Sequence, residues 1–393
     1  AVGGVTSDAQ NNTVGGTNAG AGFDGATSYR NTLFGYNAGT AINYGDDNTC
    51  IGFESGKSIT SGLKNTFIGR DSGEDVTTGV GNVCVGELSG NSLTTGGNNV
   101  CIGRMAGSTT TDTNFQVFIG YSAANLLTTG TENTIIGGYA GSAITTGRQN
   151  CALGYETMNQ AEAANTDFSV AIGRRAFQYG GGGADECVAV GYQALKGSSS
   201  NSASNYNTAV GALALSANTT GTANVAVGYQ ALQGTSSNSA ANYNTGVGAY
   251  ALYQYTTATN NSAFGKNAGA AVTTGSNNCL LGYQAGKSQS PSGNITTGSN
   301  NVVIGDNNIT NFYCADTSIS SSDQRDKTDV TSFTIGLNWI EALRPVTYRW
   351  DRRTWYGTDD EPYGTPDGSK KRQRLHIGFL AQEALAVEQA NGY

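Results

Sequence analysis

A large apolar residue followed by glycine recurs along the chain at Gly35, Gly52, Gly69, Gly86, Gly103, Gly120, Gly137 and Gly154, every interval being 17 residues. The series continues with less regular spacing through Gly173, Gly191, Gly211, Gly228, Gly248, Gly265, Gly282 and Gly305, and Gly15 reads as an earlier member. Self-similarity at a short fixed period is the signature of stacked repeats. The residue before each glycine mark is always Val, Ile, Leu or Phe, as in Phe34, Ile51, Ile68, Val190 and Ile304, which predicts the core position of every copy. Four residues before the mark, Asn stands in 14 of 17 copies, including Asn31, Asn48, Asn65, Asn207, Asn244 and Asn301. Stacked copies would then carry an asparagine ladder, each carboxamide donating to one neighbour and accepting from another.

Between Asn and Gly lie three β-type residues, such as Thr66-Phe67-Ile68 or Val100-Cys101-Ile102, which predicts one short strand per copy. After the mark come a small residue and then Gly or Leu, as in Ala38-Gly39 and Ala194-Leu195, and many copies close on Thr-Thr-Gly, as at residues 94–96 and 273–275. A glycine there is expected to supply a positive φ. Neighbouring strand residues point to opposite faces, yet two adjacent slots are both apolar in Leu33-Phe34, Phe67-Ile68, Phe118-Ile119 and Ile135-Ile136. A strand with one wet face does not look like that. The fold expected is mainly β: a repetitive parallel β-solenoid or β-roll whose second apolar face is buried against further copies of the chain, most simply as a parallel homotrimeric rod. Residues 192–207 recur almost unchanged 37 residues later, a duplicated two-coil unit whose Ser/Asn/Ala-rich insertions extend a surface turn.

Composition supports an ordered rod. Glycine numbers 57 and proline only 4, but 37% of residues are hydrophobic and 20 are tyrosine, more than a disordered glycine-rich chain carries. A net charge of −8 with 13% charged residues provides no basic stripe, which argues against nucleic acid, and no apolar run approaches a membrane span. The seven cysteines show no paired metal-ligand spacing; six are assigned to strand slots as reduced, buried hydrophobes, in keeping with assembly in a reducing host cytoplasm. No cofactor, phosphate loop or metal site is expected. Acidic residues of the rod such as Glu54, Asp71 and Glu87 are scattered among variable slots, without the paired carboxylates of a glycosidase. The chain opens at Ala1 without methionine and stops inside a helical pattern, as a fragment or processed product would.

The repeat pattern, Asn-x-x-Ile-Gly followed by Tyr-x-Ala-Gly and a Thr-Thr-Gly turn, resembles repeats of virus and phage tail-fibre proteins, and is also similar to the β-roll heads of trimeric autotransporter adhesins. Beyond about residue 310 the composition changes: all three tryptophans, the single histidine and three of the four prolines lie there. Helical spacing at Phe333, Leu337, Ile340 and Leu343, stopped by Pro345, precedes a strand over 346–350, a loop to Ser369, a second strand over 375–380 and a helix from Ala381. Residues 1–310 are thus read as shaft, 311–321 as linker and 322–393 as the first part of a small, truncated α/β domain.

Three blocks of this last segment, residues 322–330 (SDQRDKTDV), 343–350 (LRPVTYRW) and 376–383 (HIGFLAQE), resemble the intramolecular chaperone domain of phage endosialidases, tail spikes and fibres. The resemblance implies a domain that trimerises a β-rich fibre and, in many members, releases itself by serine-lysine self-cleavage. Carried over by position, Ser322 is the nucleophile, Lys327 its base and the Ser321–Ser322 bond the scissile one; Asp323, Arg325, Asp329, Pro345, Tyr348, Trp350, Gly378, Gln382 and Glu383 complete the chaperone motif. A serine hydroxyl needs a base, and lysine serves only with a lowered pKa, to which Arg325 could contribute unless it pairs with Asp323 or Asp326. His376, without a cysteine or carboxylate cluster, reads as structural. The function expected is a structural virion appendage, a tail or capsid fibre on the particle surface that contacts itself and other virion proteins. The alternative is a receptor-binding adhesin in which Tyr36, Tyr121, Tyr155, Tyr192, Tyr229 and Tyr283 touch host glycans along a stripe interrupted by Arg70, Glu87, Arg104 and Lys266.

Overall fold

A computed structural model of the chain describes residues 4–159, 166–179, 185–197, 205–234, 240–311, 341–349, 351, 356, 365–371, 373 and 375–390. The chain divides into two compact units, Ala1–Phe312 and Tyr313–Tyr393.

In the first unit a short strand β1 (Thr6–Ser7) pairs antiparallel with β2 (Thr13–Gly15). From there one three-residue strand per coil, β3 (Thr32–Phe34) to β18 (Val302–Ile304), extends a single sheet by parallel, in-register pairing. Thr49 faces Thr66, Cys50 faces Phe67 and Ile51 faces Ile68, and the same alignment repeats along the stack. This is the predicted parallel solenoid, and the register corrects its first mark. Gly15 lies opposite Phe34, so the counterpart of Gly35 is Gly16, and the ladder begins at Asn12.

From Asn31 to Asn82 the asparagine ladder is fully hydrogen-bonded. Asn48 donates from Nδ2 to the Oδ1 of Asn31 at 3.1 Å and to the carbonyl of Gly62 at 2.9 Å, while its backbone N–H donates to that same Oδ1 at 2.9 Å. Asn65 repeats the pattern on Asn48 and Gly79. These carboxamides are completely buried, and every donor and acceptor is used, which is what makes burial of so polar a column tolerable. Gln116 keeps two of the three bonds, through Asn99 and Gly130. At Ser169 the backbone bond to Asn150 is kept, while the hydroxyl accepts from Cys187 N–H and donates to the carbonyl of Asp167.

The core lies one slot away from where the pattern predicts it. The middle strand residue points inward and is fully buried in Leu33, Cys50, Phe67, Cys84, Cys101, Phe118 and Ile135, whereas the residue before the mark faces out, Ile51 at 38%, Leu153 at 45% and Phe264 at 44% exposed. Period-two alternation settles this once the strand is only three residues long. Cys187 is corrected likewise: it occupies the ladder position, not a strand, leaving Cys50, Cys84, Cys101, Cys151 and Cys279 in strands. The Thr-Thr-Gly glycines are also differently employed. Gly96 and Gly275 have no positive φ; they are required because a Cβ there would lie 2.2 Å from the carbonyl oxygen of Thr113 or Gly298 in the next coil. Positive φ falls instead on the residue before each ladder position, Asp47, Lys64 and Asn98 among them, and on the second residue after the mark, such as Glu54 and Asp71.

The choice of Gly or Leu four residues after the mark follows from volume. Where the inward strand residue is large, as in Leu33, Cys50, Phe67 and Ile135, the corner is Gly39, Gly56, Gly73 and Gly141, and a Cβ on Gly73 would overlap the Phe67 ring at 2.7 Å. Where the strand offers only Ala189, Ala209, Ala226 or Gly246, the corner supplies buried Leu195, Leu215, Leu232 and Leu252. These coils are filled once, from one side or the other, as close packing demands; where both slots are small, at Ala263 and Gly269, the side chains of Leu252 and Leu280 reach in from the neighbouring coils.

At the marks, φ is near +138° at Gly69, and a Cβ would meet the carbonyl oxygen of Gly86 at 2.5 Å. Gly69→Ala is expected to cost about 3 kcal/mol or more of stability in denaturant unfolding. Gly4→Ala, where nothing lies within 4 Å, is expected to change it by no more than about 0.5 kcal/mol.

Candidate functional site

The second unit is described only in part. Its strands β19 (Val346–Tyr348) and β20 (His376–Gly378) pair antiparallel, Val346 opposite Gly378 and Tyr348 opposite His376, and helix α1 (Ala381–Ala390) follows. Both strands are shorter than the alternation predicts, and the helix begins where expected. Of the helix anticipated before Pro345, residues 341 and 342 are helical and 333–340 lie outside the described residues. Pro345 stands immediately ahead of β19, in keeping with a ring that cannot continue a helix.

The chaperone-motif residues that are described gather around this hairpin. The rings of Tyr348 and His376 stack 5.6 Å apart at 19°. Gln382 and Glu383 lie in the first turn of α1, and Arg344 grips Glu383 with two bonds, Nη2 to Oε1 at 2.5 Å and Nε to Oε2 at 3.2 Å. That fork ties the segment before β19 to the helix, with the carboxylate placed where the helix dipole favours negative charge. The sequence offered Glu383 without a partner; only pairing of the two strands brings Arg344 to it. Arg349 donates to the carbonyl of Gln373 at 3.0 Å. Ser321, Ser322, Asp323, Arg325, Lys327, Asp329 and Trp350 lie outside the described residues.

Around the shaft, the residue after the mark, or at Tyr139 the second one after it, forms an outer column of rings and cations. Tyr36 stacks on Phe53 at 5.2 Å, and Tyr121, Tyr139 and Tyr155 follow edge to face at 5.0 and 6.2 Å. Of the residues that interrupt the tyrosine stripe in sequence, Arg104 joins it in space, and Arg174 does the same further along. Arg104 lies over the Tyr121 ring, and Arg174 lies between Tyr155 and Tyr192 at 5.9 and 6.0 Å. Glu87 sits between Arg70 and Arg104, whose hydrogen bonds hold its carboxyl below the ordinary range. Glu54 is bonded to Lys57 and Asn37, which lowers it also. Asp71 goes the other way because burial outweighs neighbouring Arg70.

No three His, Cys, Asp or Glu side chains cluster as a metal site, and no helix is long and apolar enough to cross a membrane, among the described residues.

The first unit therefore defines a parallel β-solenoid built from one repeated coil. Residues 322–393 match the family model described as chaperone of endosialidase, the same segment in which β19, β20 and α1 lie. No curated protein and no solved structure matches the chain.

The shaft cysteines divide: Cys50, Cys84, Cys101 and Cys187 are buried as expected, whereas Cys151 and Cys279 take the outward strand slot and are only half-buried. Burial pushes the Cys50 thiol far above its ordinary value, a hydrogen bond with Cys101 and burial do the same for Cys84, and burial raises Cys187 to about 12. Since the thiolate is the reactive form, these three are expected to resist iodoacetamide at pH 8 in the folded protein and to alkylate fully in denaturant, read by intact mass.

Proposed function

We propose that the chain is a structural fibre of a virion, a tail or capsid fibre assembled in the host cytoplasm from three parallel copies and displayed on the particle surface, with residues 311–321 as linker and 322 onward as the chaperone domain that brings the copies into register. The observation that carries the proposal is the outward face of the sheet. Over the sixteen strands β3 to β18 the two outward slots hold Thr/Val/Ile-type residues, from Thr32 and Phe34 to Val302 and Ile304, with no charged side chain among 32 positions. At about 4.8 Å per strand this face runs for roughly 80 Å. Two side-chain columns, roughly 10 Å across, give about 800 Å² per copy, the scale of a standard protein interface. The charged side chains, Arg30 with Asp47, Lys57 with Glu54 and Glu74, and Arg175 with Glu156, lie outside these two columns.

The chaperone assignment is supported by the family match and by the second unit's exposed apolar residues, Ile377 at 81%, Phe379 and Leu385, surface that a trimerising domain would cover. Analytical ultracentrifugation of the whole chain should give three times the chain mass. The double substitution Ile68→Lys, Ile102→Lys should shift it towards monomer without loss of β signal, and deletion of residues 322–393 should yield aggregated or misregistered chains. A monomeric parent would overturn the proposal.

Within the chaperone segment, Ser322 is proposed as the nucleophile and Lys327 as its base in a single cleavage of the Ser321–Ser322 bond. The hydroxyl would attack the Ser321 carbonyl carbon, its proton passing to the lysine amine and then to the departing α-amine of Ser322, which leaves Ser321 joined to the Ser322 oxygen as an ester; water then hydrolyses that ester, giving the Ser321 carboxylate and restoring the serine hydroxyl. Mass spectrometry should find a product ending at Ser321 in the parent and only the intact chain in Ser322→Ala; unchanged masses in the pair would sink the assignment.

A second reading, a shaft that binds host-surface glycans and is arranged for attachment, is favoured by the outer column of exposed rings, which contribute little to the solenoid core.

A further inference from the structure

A repeat array contains its own controls. The coil that starts at Gly248 departs from them in one direction: its second and fifth residues after the mark are Tyr250 and Tyr253. The fifth slot holds a small, polar or charged residue in every other described coil, among them Lys57, Asn91, Asn125, Ser216 and Lys287, and Tyr253 is its one aromatic. Together with Tyr229 the two rings make a row, 5.4 and 5.5 Å between centroids and nearly perpendicular to one another. The row borders a cleft of about 260 Å³ that also includes Gln254, Asn267, Ala270 and Lys287. Ala270, 4% exposed, occupies the fifth slot of the next coil and makes the depression; Tyr253 and Lys287 stand in that slot on either side. The side chains of Gln254, Asn267 and Lys287 make no hydrogen bond or ion pair with other described residues.

We infer that this cleft binds one pyranose ring of a glycan, stacked on Tyr253 and Tyr250 and hydrogen-bonded through Gln254, Asn267 and Lys287. It rests on the second reading above. The apolar C–H face of a pyranose suits a tyrosine ring, and its equatorial hydroxyls need donors and acceptors at the rim, which unpaired amides and an ammonium provide. The volume falls just below the range of about 300–1,000 Å³ typical of sites that enclose drug-sized ligands, so the cleft takes one ring while neighbouring sugars run along the shaft. Lys287 adds attraction for a carboxylated sugar over a neutral one.

The test is binding of the whole chain to an array of immobilised neutral and uronic-acid-containing glycans. Its variants return slots to residues that other coils already carry: Tyr253→Asn, as at Asn91 and Asn125, and Tyr250→Gln, as at Gln193 and Gln230. These variants keep the fold because the same side chains already stand at those corners. Each is expected to weaken retention of the bound glycans by about tenfold or more. Lys287→Gln is expected to weaken the acidic members selectively. Retention unchanged in both tyrosine variants overturns this site while leaving glycan binding by the shaft in place. A parent chain that retains no glycan overturns both.

Discussion

Most coils are positioned by the one before through a buried carboxamide. The side chain of Asn31 accepts from both the backbone and the side chain of Asn48 and ties the far turn of its own coil at Gly45. This contact sets the axial spacing and the register at once, and the rest of the coil conforms to it. The marks are glycine because the coils approach too closely there for a Cβ, and the interior is filled either from the strand or from the corner. An amide column is suited to this work because it is expensive to bury unpaired and saturated only by a copy of itself.

The same economy of means creates the molecule's central weakness. Coils that are alike in ladder, mark and strand can pair out of step by a whole repeat at little local cost. A free outward apolar face makes such mispairing between chains attractive. A dissimilar segment that associates first would remove the ambiguity, which gives the part matching the chaperone of endosialidase a physical role beside a shaft. The pairing of β19 with β20 and the Arg344–Glu383 fork hold the described motif residues of that segment together with a few polar contacts.

Repetition also makes departures legible. Gln116, Ser169 and Cys187 loosen the ladder in the middle of the shaft, and the switch from glycine to larger corner residues begins near there, at Met158 and Phe177. Around the outside, charges and rings occupy slots that the core does not constrain, so differences there, as at Tyr250 and Tyr253, are free to serve recognition.

The sequence by itself determined the architecture, because a 17-residue period with an invariant glycine and a near-invariant asparagine admits little but stacked coils, and because three short blocks carried the resemblance of the C-terminal segment. It misplaced the core by one residue: two adjacent apolar slots look alike until the strand's direction is known, and only the folded coil decides that Phe67 points in and Ile68 out. It misjudged the Thr-Thr-Gly glycines for the same reason, since closeness to the next coil is not a local property. It read Arg104 as an interruption of an aromatic stripe, although stacking brings it over the Tyr121 ring. What lay within one coil was legible; what depended on the neighbouring coil, the partner across the hairpin or the filling of a shared interior was decided only by tertiary structure, where side chains distant in sequence compete for the same space.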